Sequence, residues 1–191
     1  MLFVATALFL LQAQEAKLSA ATRPLPARPP APTTTKAARA LKPPVLDGRD
    51  EDEVWKQAAP ITEFVEFDPV EGKEARFRTE ARVAYDTRNF YVFVRMFDPE
   101  PDKILKLLAR RDVRTPSDQV KVVIDSYHDR RSGYEFAVNP AGVLRDYAIY
   151  GDGNEDDAWD GVWEARTTVD SLGWTAEFKI PLSQLRYDNA D

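Results

Sequence analysis

The chain has 191 residues and a mass of 21.7 kDa, room for one ordinary domain and a tail. Its 43% hydrophobic, 30% charged and 11% aromatic composition can bury a core, while zero cysteines and one histidine, His128, exclude disulfides, thiolate zinc, thiol nucleophiles and an all-histidine metal centre. The 32 acidic residues outnumber the 26 basic ones for a net charge of -6, which argues against a phosphate-tracking nucleic-acid binder.

Residues 2–11 (LFVATALFLL) form an apolar run of the length of a secretory h-region, too short to span a bilayer as a helix. A signal peptide over 1–13 is expected, although no Lys or Arg precedes Lys17 to supply a positive n-region. The alternative is a hydrophobic end without a targeting role. Residues 14–44 hold seven of the fourteen prolines and almost no large apolar side chains, as an extended spacer would. They carry six of the 26 basic residues and one of the 32 acids, leaving 20 against 31 in the rest, a net of -11. The folded part, 45–191, is thus strongly acidic and suits a neutral ligand or a bound cation better than an anionic partner.

The folded part opens with one short helical signal: Asp50 as cap, Glu53 completing a capping box, Trp55 as core anchor and Pro60 as stop. Beyond it, apolar residues recur at every second position. Ile61, Val65 and Phe67 share one face, as do Ala81, Val83 and Tyr85, then Val120, Val122 and Ile124, then Tyr134, Phe136 and Val138, and finally Trp174, Ala176, Phe178 and Ile180. Residues 90–97 are apolar on both faces apart from Arg95, as in a central strand covered on both sides. Turn chemistry separates these runs at 86–89, 131–133, 139–142, 151–154 and 170–173. At least eight short strands without intervening long helices predict an all-β fold, an antiparallel β-sandwich of the jelly-roll or immunoglobulin-like type with one short N-terminal helix. Residues 102–111 fit a helical stripe about as well as a strand. The sequence stops just after 181–185 without a solvated tail, as a piece of a longer polypeptide would.

Asp152, Asn154 and Asp156 at alternate positions make D-x-N-x-D, a spacing that points oxygen ligands at a hard cation such as Ca2+. An EF-hand is excluded, because its sixth position would be Asp157 instead of glycine and its twelfth Trp163 instead of glutamate. The bland alternative is a solvated acidic loop. Trp159, amid acids and beside glycine, is a candidate face on which a sugar ring stacks, with Asp160 and Tyr150 near enough in sequence to hydrogen-bond hydroxyls. Trp163 and Trp174 share strand faces with apolar residues and read as core. No carboxylate pair can be singled out for glycoside hydrolysis, and no G-x-S-x-G elbow occurs.

Several segments together resemble a known family. Asp47-Gly48 followed by acids and Val54-Trp55-Lys56-Gln57-Ala58 resembles the opening of the family 9 carbohydrate-binding module, and residues 118–125 are similar to its acid-flanked central strand. Arg110-Arg111-Asp112, residues 127–134, Val138-Asn139-Pro140-Ala141-Gly142, Trp159-Asp160-Gly161-Val162-Trp163-Glu164 and residues 173–181 resemble the version found at the N-terminus of large exported bacterial proteins with a predicted outer-membrane barrel. The resemblance implies a sandwich that binds poly- or oligosaccharide, often with calcium. The expected function is a non-catalytic carbohydrate-binding domain of an exported protein of a Gram-negative-type bacterium, periplasmic, outer-membrane-associated or extracellular. It would recruit sugar for catabolism by a longer or attached hydrolase. The alternatives are a docking sandwich on a C-terminal outer-membrane barrel and a glycoside hydrolase domain. No transmembrane helix is expected in this segment.

Overall fold

The computed structural model describes residues 34–151 and 153–187. The expected signal over 1–13 and Asp152 of the acidic loop lie outside the described residues. In chain order the elements are β1 (Ala38–Arg39), α1 (Glu53–Gln57), β2 (Thr79–Tyr85), β3 (Asn89–Phe97), β4 (Val120–Ile124), β5 (Gly133–Val138), β6 (Leu144–Tyr150), β7 (Asn154–Asp156), β8 (Glu164–Asp170) and β9 (Gly173–Pro181), with 3-10 turns at Pro101–Lys103 and Leu182–Gln184. They form a five-stranded sheet in the order β1-β2-β3-β9-β8 and a four-stranded sheet in the order β4-β5-β6-β7. All pairings are antiparallel except that of β1 with β2. The fold is an all-β sandwich. Among the described residues no helix is long and apolar enough to cross a membrane.

Period-two patterning decides which residues enter the core. Val92 and Val94 of β3, Phe136 and Val138 of β5, and Trp174, Ala176, Phe178 and Ile180 of β9 meet between the sheets, joined by Trp163. The other face of β3, Tyr91 and Phe93, packs under a second apolar cluster with Val54 and Trp55 of α1. Strand β3 is therefore covered on both faces, which is why it reads as continuously apolar. Strand β1 adds to this outer layer: Ala38 pairs with Ala84, the Ala40 amide donates to the Tyr85 carbonyl at 2.8 Å, and the Ala40 side chain is buried. The sheet thus reaches into the proline-rich stretch that composition assigns to a spacer, because two paired residues leave no periodic signal.

Three local expectations change. The helix has Asp52, not Asp50, at its N-cap, and no side-chain cap forms there. The Asp52 carboxylate instead accepts the Val45 amide at 3.0 Å, tying the helix to the segment before it. Residues 61–67 do not form a strand: Ile61 bridges Ala81 and Val65 bridges Glu74 as isolated pairs, and Phe67 is 86% exposed. Residues 104–111 are neither helix nor strand. Their backbone is engaged by neighbours, the Leu105 amide by the Asp118 carboxylate at 2.7 Å, the Leu105 carbonyl by the Asp118 amide at 2.9 Å and the Leu107 amide by Ser117 Oγ at 3.3 Å. Only Ile104 of this segment's apolar residues enters the core.

The turn between β8 and β9 requires glycine. Gly173 has φ +134, and a Cβ there would stand 2.1 Å from the Met96 carbonyl oxygen of β3. This close approach places Trp174 opposite Met96 and sets the register of the whole β3–β9 pairing.

Candidate functional site

The residues singled out from sequence around Trp159 lie on or beside the sandwich edge. The Trp159 ring is partly buried, 4.7 Å from the Tyr134 ring and edge-on to Phe136 at 5.8 Å. Gly161 packs so closely on it that a Cβ would stand 2.7 Å from Cη2. The exposed indole shelf expected here is therefore a ring that closes the core, and apolar packing against Tyr134 and Phe136 is the reason. Trp163 is core, as expected, stacked on Phe178 at 5.8 Å. Asp160 is exposed and ion-paired with Arg111 at 3.0 Å. Tyr150, at the end of β6, is 54% exposed and pairs with Asn154 of β7. In the acidic loop, the Asn154 amide donates to the Tyr150 and Gly151 carbonyls at 3.4 and 3.3 Å. One Asp156 oxygen accepts the Ala158 amide at 3.0 Å. Asn154 and Asp156 are both exposed on this short edge strand.

A second place, not foreseen from sequence, has more of the properties of a binding site. In β4–β6 the even-numbered residues face the core, so the odd-numbered ones share the outer face. There Lys121, Ala137 and Arg145 stand in one cross-strand row, and Val123, Glu135 and Tyr147 in the next. A solvated sheet face would leave such side chains exposed, yet Glu135, Arg145 and Tyr147 are buried. Buried polar groups, unlike exposed ones, call for an explanation.

These groups form a lattice of paired charge. Lys121 Nζ lies 2.8 Å from Glu135 Oε1, and Arg145 lies 3.2 Å from Glu155, which also pairs with Arg114. The Arg145 guanidinium sits 4.6 Å above the Tyr147 ring. Burial pushes the Tyr147 phenol above its ordinary value, and bonding to the Glu135 and Glu155 carboxylates adds to this. Burial works to raise the Glu155 carboxyl, but the Tyr147 hydroxyl and the two arginines together hold it below the ordinary carboxylate range. At neutral pH the lattice therefore keeps Glu155 charged and Tyr147 protonated.

Between this lattice and the loop that precedes β4 is a groove of about 230 Å³, with Arg114, Thr115 and Ser117 on the loop side and Gln119, Lys121 and Arg145 on the sheet side. The loop is held in place by Asn139, whose amide donates to the Leu107 carbonyl at 2.7 Å and whose carboxamide oxygen accepts the Val143 amide at 2.9 Å. The size suits one ring more than a long chain, being below the about 300–1,000 Å³ of drug-sized pockets. The polar atoms offer both donors and acceptors, as a hydroxyl-rich, uncharged ligand requires. The signal in the sequence was the run of long charged side chains of both signs opposite the apolar face of β4–β6, interrupted by Tyr147. It looks like a solvated face until the loop that covers it is placed.

A family profile described as carbohydrate family 9 binding domain-like matches residues 46–191. No curated protein sequence matches significantly. Among solved structures, the chain is similar to a carbohydrate binding module of family 9 from Caldicellulosiruptor kristjanssonii in complex with cellotriose, at 18% identity and a TM-score of 0.51 over 78% of this chain and 68% of that one. A structure of such a module from the same organism in complex with glucose gives 16% and 0.52 over 81% and 73%. A protein from Bacteroides uniformis gives 15% and 0.59 over 78% and 72%. The structural likenesses establish the same sandwich, and the profile, spanning the ordered domain from just after the proline-rich stretch, establishes that the chain belongs to the carbohydrate family 9 binding domain-like family.

Proposed function

We propose that the domain is a non-catalytic carbohydrate-binding module that takes a neutral sugar in the groove on the outer face of β4–β6. The observation that carries this is the charge-paired lattice in which buried Glu135 and Arg145 are met by exposed Lys121 and Glu155 beside an open polar groove. Paired charges present strong donors and acceptors without a net field, which favours vicinal hydroxyls over an anion. The relatives solved with cellotriose and glucose support the ligand class.

Calorimetric titration with glucose, cello-oligosaccharides and xylo-oligosaccharides should give saturable binding. Exchanging Lys121 and Gln119 together for alanine should weaken it about 10- to 100-fold, since hydrogen bonds to a charged group contribute about 1.5–3 kcal/mol. Trp159→Ala serves as the contrasting variant: if it abolishes binding in a folded protein while the groove variant does not, the sugar stacks at Trp159, Asp160 and Tyr150 instead. No response to any glycan would remove the proposal. That outcome, with a folded domain, would favour the docking alternative. Its support is an apolar cleft of about 560 Å³ where the sheets part, lined by Val83, Phe90, Val122, Ile124, Leu185 and Tyr187, which the proposed C-terminal barrel would cover.

The same proposal includes a calcium ion in the loop of Asp152, Asn154 and Asp156. Calcium should raise the melting temperature of the wild-type domain and leave Asp152→Asn with Asp156→Asn unmoved, as scanning calorimetry with and without chelator would show. We further propose export, with the hydrophobic run at 2–11 as its signal and the module recruiting polysaccharide for an attached or longer hydrolase. N-terminal sequencing of the chain recovered from a Gram-negative host would show whether it is cleaved after Ala13.

A further inference from the structure

Three carboxylates from distant parts of the chain, Asp112, Asp146 and Asp160, bring one oxygen each within 4.8 Å of one another. Such a cluster would ordinarily need a cation, and one is already there. Arg111 Nη2 lies 2.5 Å from Asp146 Oδ1, 2.6 Å from the Gly161 carbonyl oxygen and 3.0 Å from Asp160 Oδ1, and its Nε lies 3.5 Å from Asp112 Oδ2. Four oxygens, one of them a main-chain carbonyl, thus converge on a single guanidinium. The Asp146 side chain is fully buried, while Asp160 opens to solvent. That is the oxygen set of a calcium site, to be completed by water from the exposed side.

We infer that Arg111 is a built-in substitute for a divalent cation at this junction, so that the wild-type domain binds no metal here. A planar guanidinium supplies several donors in fixed directions, which a lysine ammonium would not. Its position makes it a positioning residue. Asp112, next to it, donates its amide to the Leu144 carbonyl and accepts the Asp146 amide, both at 3.1 Å, so the loop closes the edge of β6 that β7 leaves uncovered. The same loop continues into Arg114, Thr115 and Ser117 of the groove wall. The inference stands on these contacts alone and does not require that the groove bind sugar.

The experiment is to remove the guanidinium and count calcium ions. Arg111→Ala should melt at a lower temperature than wild type in chelator, recover at least half of the difference in millimolar calcium, and bind one more calcium than wild type by calorimetry. The extra site should have a dissociation constant of about 10⁻⁴–10⁻³ M, the range of extracellular modules. Adding Asp160→Asn to Arg111→Ala should abolish the extra site, and Arg111→Lys, which keeps the charge, should bind no additional ion. Counting the extra ion relative to wild type separates it from any ion in the Asp152–Asp156 loop. The inference is overturned if Arg111→Ala binds no more calcium than wild type, if it stays unfolded with calcium as without it, or if calcium perturbs the Asp112, Asp146 and Gly161 signals of the wild-type domain in NMR spectra.

Discussion

Asp146→Ala should lower the stability of the domain by about 3–5 kcal/mol, the cost of breaking a buried ion pair by removing one partner. The carboxylate is inaccessible to solvent and serves three segments at once. Its Oδ1 accepts Arg111 at 2.5 Å and the Trp163 indole at 3.1 Å, and its Oδ2 accepts the Gly161 amide at 2.7 Å. Alanine leaves the buried Trp163 indole N–H and the Gly161 amide without that acceptor, and Arg111, which keeps Asp160 and reaches solvent, without its buried partner. The damage also reaches the core, because the hydrogen bond orients Trp163, which stacks on Phe178 and meets Phe136 edge-on at 5.3 Å. Asp146→Asn keeps one acceptor oxygen and should cost less than alanine. Urea unfolding followed by tryptophan fluorescence measures both. A loss below about 1 kcal/mol for alanine, the scale of an exposed pair, would show that the junction is not the tie described here.

The junction also shows where sequence reasoning reaches its limit. Arg111, Asp146 and Gly161 are each unremarkable in their local windows, and only the folding of the loop across β6 makes one cluster of them. Strands β2 to β5, β8 and β9 were legible because alternation is local: Tyr134, Phe136 and Val138 point inward whatever lies elsewhere. The central place of β3 was legible for the same reason, since Tyr91 and Phe93 had to be covered as well as Val92 and Val94. The groove was not, because Lys121, Glu135 and Arg145 satisfy the pattern of a solvated face, and the wall opposite Arg145 comes from a loop distant from it in sequence, at Arg114, Thr115 and Ser117. Trp159 misled in the opposite direction. Its acidic neighbours suggest exposure, but Asp160 is occupied by Arg111 and the ring turns in to Tyr134. For the segment 61–67 the alternation was real but too short of partners, since only Ile61 and Val65 find a bridge.

Trp55→Ala should cost about 3–5 kcal/mol, the range for emptying a large buried aromatic site. The ring is fully buried, 5.7 Å from Phe93, beneath the only helix among the described residues. It also has a polar duty. Its Nε1 donates to Glu177 Oε1 at 3.0 Å, while Glu177 Oε2 accepts the Asp47 and Gly48 amides at 3.0 and 2.9 Å. Glu177 lies on β9 and has no exposed surface, so it pins both the helix and the chain before it onto the outer face of the five-stranded sheet. Burial pushes the Glu177 carboxyl above its ordinary value of 4.5, against the pull of the Gly48, Trp55 and Asp47 donors. A raised value means that the folded state binds the proton more tightly than the unfolded chain. The stabilising contribution is then complete below pH 4.5 and is lost as pH rises through the raised value. Glu177→Gln removes this proton-linked contribution and turns an amide N–H toward one of the three donors, for a loss of about 1–3 kcal/mol. The stability gap between wild type and Glu177→Gln should therefore be wider at pH 4.5 than at neutral pH, measured by urea unfolding across that interval. Trp55→Phe separates the two duties of the indole: it refills most of the site but leaves Glu177 one donor short, so it should recover most of the loss seen with alanine while steepening the pH dependence. A flat profile in both wild type and Trp55→Phe would mean that Glu177 titrates alike in the folded and unfolded chain, and a stability that rises with pH would mean that its donors outweigh its burial; either result overturns the reading.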